Sequence, residues 1–175
     1  MLVKAPQFLL RNTNILSIFT ASFHFMTHVP YTYKRGHSER YIFTSVGKKK
    51  IEKVVDFAPI GIKNIMNLGF GDLLPDESVD DTANSNNGDL IKVLATVIEI
   101  LKDYTTEYPR VEVFFAGSTI ERTKLYTRIL KTYYSDFSKE FIISAISGSE
   151  NENGRIPFEP MANTEYLGFL IKRIN

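Results

Sequence analysis

The sequence predicts an α+β (mixed α/β) fold: a β-β-β-α-β-α-β succession with one further terminal element, in which a mixed sheet carries two packed helices. Three observations lead there. Residues 40–74 hold three β-rich segments separated by Gly- and Pro-bearing turns. Residues 90–108 repeat apolar positions at helical spacing, and an apolar run at 111–117 leads directly into a second helical pattern. With 175 residues, 43% of them hydrophobic, the chain can bury one substantial core and is short for two.

The elements follow in order. "RYIFTSV" and "KIEKVVDFAPI" are strands joined by "GKK", a hairpin turn supplied by Gly47. In the second, Ile51, Lys53, Val55 and Phe57 share one face and Glu52, Val54 and Asp56 the other, giving a strand with one wetter side. "KNIMNLGFGDLL" is a third strand, and Gly69 and Gly71 predict a close backbone approach or a bulge near its end. The three together read as an antiparallel meander. A long polar loop, 75–89, then feeds "LIKVLATVIEILKDYTTEY", a helix whose Lys92, Thr96, Glu99 and Asp103 form one narrow solvent stripe. Pro109 ends it, and "VEVFFAG" is an interior strand. A second helix over 119–135, a strand at "EFIISAIS", a surface turn at "GSENENG" and a final strand or short helix at "EYLGFLIKRIN" complete the chain. The element order is that of ribonuclease H-like domains, an analogy of order alone.

Residues 1–28 are set apart as an apolar N-terminal extension, and 29–175 form one α+β domain. Within the extension Arg11, Asn12 and Asn14 break the apolar run, so no span reaches the roughly 18 apolar residues of a membrane-crossing helix. Lys4 would suit a signal-peptide n-region, but no clear small-residue cleavage site follows. The favoured reading is an over-extended start with Met26 as the natural one, and a cytoplasmic protein without membrane association. There are no cysteines, which excludes disulfide frameworks, thiolate zinc sites and thiol nucleophiles. The 21 basic and 20 acidic residues leave a formal charge of +1, so any nucleic-acid surface must be local.

The candidate site lies in "AGSTIERTKLYTRIL". Ser118 stands where an N-cap belongs, with Glu121 three residues later as a capping box requires. Arg122 is harder to explain by structure, because a cation in the first helical turn opposes the macrodipole. A bound anion, or a salt bridge to the acidic loop, would remove the conflict. Ser118, Thr119, Arg122 and Thr123 are therefore the anion-binding candidates. The "GxxxxGK[ST]" spacing of a P-loop is absent.

The acidic and amide-rich residues are Asp72, Asp76, Glu77, Asp80, Asp81, Asn84, Asn86, Asn87 and Asp89, a chemistry suited to magnesium or calcium. However, "DTANSNNGDLIK" carries Lys92 where an EF-hand needs a bidentate Glu, and Asn86 with Asp89 has capping-box spacing beside the permissive Gly88. No metal and no cofactor are expected; Asp72 and Asp89 remain the acidic candidates. A standard two-metal nuclease is disfavoured, because neither the first nor the fourth strand offers a carboxylate. His24, His28 and His37 fall before the ordered region. Tyr31, Tyr33, Lys34, Arg35 and Arg40 mix aromatic and basic residues in the manner of single-strand binders, as does "KLYTRILKTYY", although Tyr126, Ile129 and Tyr133 there lie on one core-like stripe. Lys48, Lys49 and Lys50 read as a soluble hairpin edge.

At "MNLGFGD", "SNNGDLIKVLATVIEIL" and "GSTIERTKLYTRIL" the chain resembles a family of small bacterial proteins catalogued as a domain of unknown function. With "FTSVGKKKIEKVVDF" and "YLGFLIKRI" these blocks cover nearly everything from Tyr41 onward. Members of that family begin near the position of Met26, and the resemblance implies no established activity. Three functions are consistent with the residues. The leading one is a non-enzymatic binding or regulatory module with an anion or nucleic-acid pocket at the start of the second helix. The second is a phosphate-ester-acting enzyme or a metal-dependent nuclease with an atypical site, with Arg122 on the phosphate and Asp72 or Asp89 as general base or metal ligand. The third is a partner-dependent protein of a two-protein bacterial system, in which "SNNGD" and "GSTIERT" are structural joints.

Overall fold

The computed structural model describes residues 29–83, 85–148 and 154–174. The strands are β1 (Tyr33–Arg35), β2 (Arg40–Val46), β3 (Lys50–Pro59), β4 (Ile65–Leu73), β5 (Val79–Asp80), β6 (Glu112–Phe115), β7 (Phe141–Ser147), β8 (Arg155–Pro157) and β9 (Tyr166–Arg173). The helices are α1 (Leu90–Glu107), α2 (Ile120–Thr132) and α3 (Tyr134–Glu140). The strands form one mixed sheet in the order β1-β2-β3-β4-β6-β9-β7-β8, with β5 attached to β4.

The α+β class holds, and the meander β2-β3-β4 and the final strand are as expected. The succession is longer than the expected β-β-β-α-β-α-β: β1, β5 and β8 are additional strands, and the second helix breaks at Tyr133 into α2 and α3. The last strand does not extend an edge but inserts between β6 and β7. The likeness to ribonuclease H-like domains rested on order alone, and the order differs.

One face of β2 to β4, β6, β7 and β9 supplies the core. Tyr41, Phe43, Val55, Phe57, Val113, Ile143 and Phe169 lie there against Ile100, Leu101 and Tyr104 of α1, Leu130 of α2 and Phe137 of α3. Phe57 and Tyr104 stack with ring centroids 3.7 Å apart.

The polar stripe of α1 is not open to solvent along its length. Thr96 is fully buried: its Oγ1 accepts from the Tyr31 amide at 2.9 Å and donates to the Lys92 carbonyl. Lys92 Nζ sits 4.1 Å from the Tyr31 ring centroid, and the Tyr33 hydroxyl donates to Asp103. The chain from Tyr31 to Tyr33 thus follows the stripe and gives its polar residues partners within the fold.

The glycines bear out the expectation in part. Gly47 opens the three-residue turn between Val46 and Lys50, but its need is space: a Cβ there would strike the Asn87 backbone. Gly71 does mark a close approach, since a Cβ would lie 2.6 Å from the Asp80 carbonyl oxygen, whereas Gly69 is unconstrained and the β3–β4 register runs without a bulge.

Candidate functional site

β4 and β6 are parallel neighbours, but their pairing covers only Ile65–Asn67 against Glu112–Phe114. Beyond that point the strands diverge. The same edge of β4 is taken up again at Asp72 and Leu73 by β5, so residues 68–71 face a gap. A cavity of about 250 Å³ occupies it, at the carboxyl ends of two parallel strands, where open sheets commonly receive ligands. Leu68, Phe70 and Phe115 from the strands, Leu94, Val97 and Ile98 from α1, and Tyr126 and Ile129 from α2 give it an apolar wall. Asp81, Ser118 and Arg122 line it as well and supply the polar part.

The start of α2 is built more tightly than the sequence suggested. The N-cap is Thr119, not Ser118: Thr119 has extended backbone and its hydroxyl accepts from the Arg122 amide at 3.3 Å. Just before it, Gly117 lies so close to Arg122 and the backbone of Thr123 that there is no room for a side chain at 117. Thr123 is buried, and its hydroxyl accepts from the Gly117 amide while donating to the Thr119 carbonyl. Glu121 therefore stands at the second helical position, where hydrogen bonds from its own amide and from the Thr119 hydroxyl hold its carboxyl below the ordinary range.

Ser118 is exposed and links two elements. Its hydroxyl donates to the Asp81 carbonyl at 2.9 Å and accepts from Arg122 Nη1 at 3.1 Å. Arg122 Nη2 donates to the Ala83 carbonyl at 2.6 Å. The salt bridge anticipated between Arg122 and the acidic loop is not formed; a backbone carbonyl of that loop stands in its place. Two of the loop's carboxylates are occupied locally, Asp76 by the Ser78 hydroxyl and amide. Asp80 accepts from the Thr82 hydroxyl and the Thr82 and Ala83 amides, which hold it below its ordinary value with a smaller contribution from Arg122. Among the described residues Arg122 makes no ion pair.

Asp72 and Asp89 belong to a second polar cluster. Lys53, 5% exposed, projects from the apolar face of β3 and donates to Asp72 and, at 2.7 Å, to Ser85 Oγ. Asp89 is the N-cap of α1 but makes no side-chain cap hydrogen bond, contrary to the capping-box reading. Its carboxylate instead accepts from Ser45 Oγ at 2.6 Å and the Tyr31 hydroxyl at 2.8 Å. Burial alone would raise the Asp89 carboxyl; those two hydrogen bonds and nearby Lys53 outweigh it and leave it below the ordinary value. Asn87, not Asn86, is the structural amide: buried, it donates to Ser45 Oγ and the Lys49 carbonyl and accepts from the Lys49 amide. Gly88, at φ 86°, gives the chain its entry to the helix as expected.

Sequence reasoning singled out Arg122 and Ser118 but missed Asp81 as their neighbour and Lys53 as the partner of Asp72. An alternating apolar strand with a lysine on its dry face was the available signal for Lys53. Four of the N-terminal aromatic and basic residues are engaged internally: Tyr31 on Asp89, Tyr33 on Asp103, Arg35 on Glu39 and Glu107, and Arg40 on Asp56; Lys34 is exposed. His37 is exposed; His24 and His28 lie outside the described residues. Among the described residues no three histidine or acidic side chains converge as metal ligands would, and no helix is long and apolar enough to cross a membrane.

Fold and site together define a mixed-sheet α+β protein with a cavity, part apolar and part charged, at the split between two parallel strands. Residues 27–174 match the Family of unknown function (DUF6934), and the chain belongs to that family, as the sequence blocks around Gly69, Asn87 and Ser118 had indicated. No curated protein and no solved structure matches it.

Proposed function

We propose that this protein is a non-enzymatic binding or regulatory module whose ligand places an anionic group against Arg122 and Ser118. One observation carries this reading: a guanidinium with no carboxylate partner among the described residues lines a cavity of about 250 Å³. The helix start contributes favourably aligned amide dipoles, and an anion there offsets the unfavourable position of Arg122. Thr119 and Thr123 serve this site indirectly, by fixing the helix start. Arg122 is the contact group.

The reading as a phosphate-ester enzyme has less support, because Asp72 and Asp89 are hydrogen-bonded to Lys53, Ser45 and Tyr31 and neither lines the cavity. The reading as a partner-dependent protein draws support from the "SNNGD" block, whose Asn87 and Asp89 join a hairpin to a helix. A thermal-shift screen of inorganic phosphate, nucleotides, oligonucleotides and small carboxylates against wild type and Arg122→Gln tests for a ligand held by Arg122. A ligand of the site raises the wild-type midpoint and leaves the variant's unchanged. Equal shifts in both proteins would place the ligand elsewhere and remove the basis for the proposal.

A further inference from the structure

We infer that the cavity receives a small zwitterion with an apolar body, of the class of a free aromatic or branched aliphatic amino acid, its carboxylate on Arg122 and its ammonium on Asp81. The inference rests on the anion-site reading and adds a second charge and a shape to it. Asp81 lines the same cavity, and its carboxylate forms no ion pair with a described residue. The two charges are neighbours that do not pair: Ser118 Oγ accepts from Arg122 and donates to the Asp81 backbone, so one hydroxyl ties both residues to the mouth. Tyr126, on the cavity wall, feels both. Burial raises its hydroxyl pKa, Arg122 opposes the rise and Asp81 adds to it.

A simple anion would satisfy Arg122 and be repelled by Asp81. A phosphate carries more negative charge and no apolar surface, whereas Phe70, Phe115, Val97 and Ile98 offer little else. Benzene fills an apolar cavity of about 150 Å³, so about 250 Å³ accommodates a ring with a short polar head. Leu68, Gly69, Phe70, Ala116 and Gly117 also line the cavity, beyond the last pair of β4 with β6.

The test is calorimetric titration of the full chain with phenylalanine, 3-phenylpropionate, phenethylamine, glycine and inorganic phosphate. Phenylalanine is expected to bind, with 3-phenylpropionate and phenethylamine each weaker by about 10-fold or more, the worth of one charged hydrogen bond. Glycine is expected to bind weakest of the organic compounds, for want of an apolar body. In Asp81→Asn the preference for phenylalanine over 3-phenylpropionate is expected to disappear, with folding checked by circular dichroism. Wild-type binding of 3-phenylpropionate as tight as that of phenylalanine would overturn the zwitterion and keep the anion site. Phosphate binding without phenylalanine binding would do the same. If none of the five binds at millimolar concentration, the zwitterion and the anion site both fall.

Discussion

Replacing Lys53 by Met removes a cation from the dry face of β3 and leaves the carboxylate of Asp72 and the hydroxyl of Ser85 without their donor. The side chains of the pair are 6% and 15% exposed, so this is a buried ion pair and not a surface one. Breaking such a pair by removing one member costs about 3–5 kcal/mol, because the other charge stays desolvated. Asp72 keeps some water access, which points to the lower end, about 3 kcal/mol. For a chain of this size that corresponds to a fall of about 6–12 °C in the unfolding midpoint. Met retains the volume of the lysine stem beside the Phe70 ring, so the loss reports charge more than packing. The assay is urea unfolding followed by circular dichroism, with an unchanged slope as the check that only stability has moved. The double variant Lys53→Met, Asp72→Val is expected to recover most of the loss, since it leaves no unpaired charge and sets one apolar side chain opposite another where Lys53 faces Asp72. A loss below about 1 kcal/mol for Lys53→Met, the range of exposed pairs, would refute the argument. So would a double variant no more stable than Lys53→Met.

Asp89→Asn is expected to cost about 1–2 kcal/mol at pH 7, from weakened hydrogen bonds to Ser45 and Tyr31. The folded-state carboxyl lies below its ordinary value of 3.8, so its contribution is present above that pH and lost as pH falls through the folded value. Urea midpoints of the two proteins should therefore converge only once the pH has fallen below the ordinary carboxylate range. Thr119→Ala is expected to cost about 1 kcal/mol as loss of the α2 cap, against less than about 0.5 kcal/mol for exposed Ser118→Ala, and a reversed ranking in thermal melts would restore Ser118 as the cap. Asn87→Ala breaks three buried or half-buried hydrogen bonds and is expected to cost about 2–3 kcal/mol, with faster tryptic cleavage in the turn at Lys48 and Lys49 as the local readout.

What the residues revealed and what they hid has a physical pattern. β2, β3 and α1 were legible because each buries one regular face, and the period of that face is written in the chain itself. β1, β5 and β8 hold three, two and three residues, too short for any period to register, and β5 lies inside a polar loop. The position of β9 between β6 and β7 was illegible for a different reason: a strand's neighbour is settled by the whole sheet, not by its own residues. In the site, Arg122 stood out by conflict with helix electrostatics. Asp81 did not, since an aspartate in a polar loop conflicts with nothing until the fold brings it to the same cavity. The cap falls on Thr119 and not Ser118 because Thr119 has the extended backbone and the hydroxyl that reaches the Arg122 amide, a geometry that two adjacent hydroxyl residues do not distinguish by spacing.

The short parallel contact between β4 and β6 makes the sheet two antiparallel panels joined along a hinge. β1 to β5 form one panel and β6 to β9 the other, and in the sheet itself three residue pairs, with the Glu112 amide on the Asn64 carbonyl, hold them together. The cavity opens at the free end of that hinge. A ligand touching both panels would brace them against one another, and hydrogen exchange of the amides at 65–66 and 112–114, paired residues that do not line the cavity, would report the bracing from a distance.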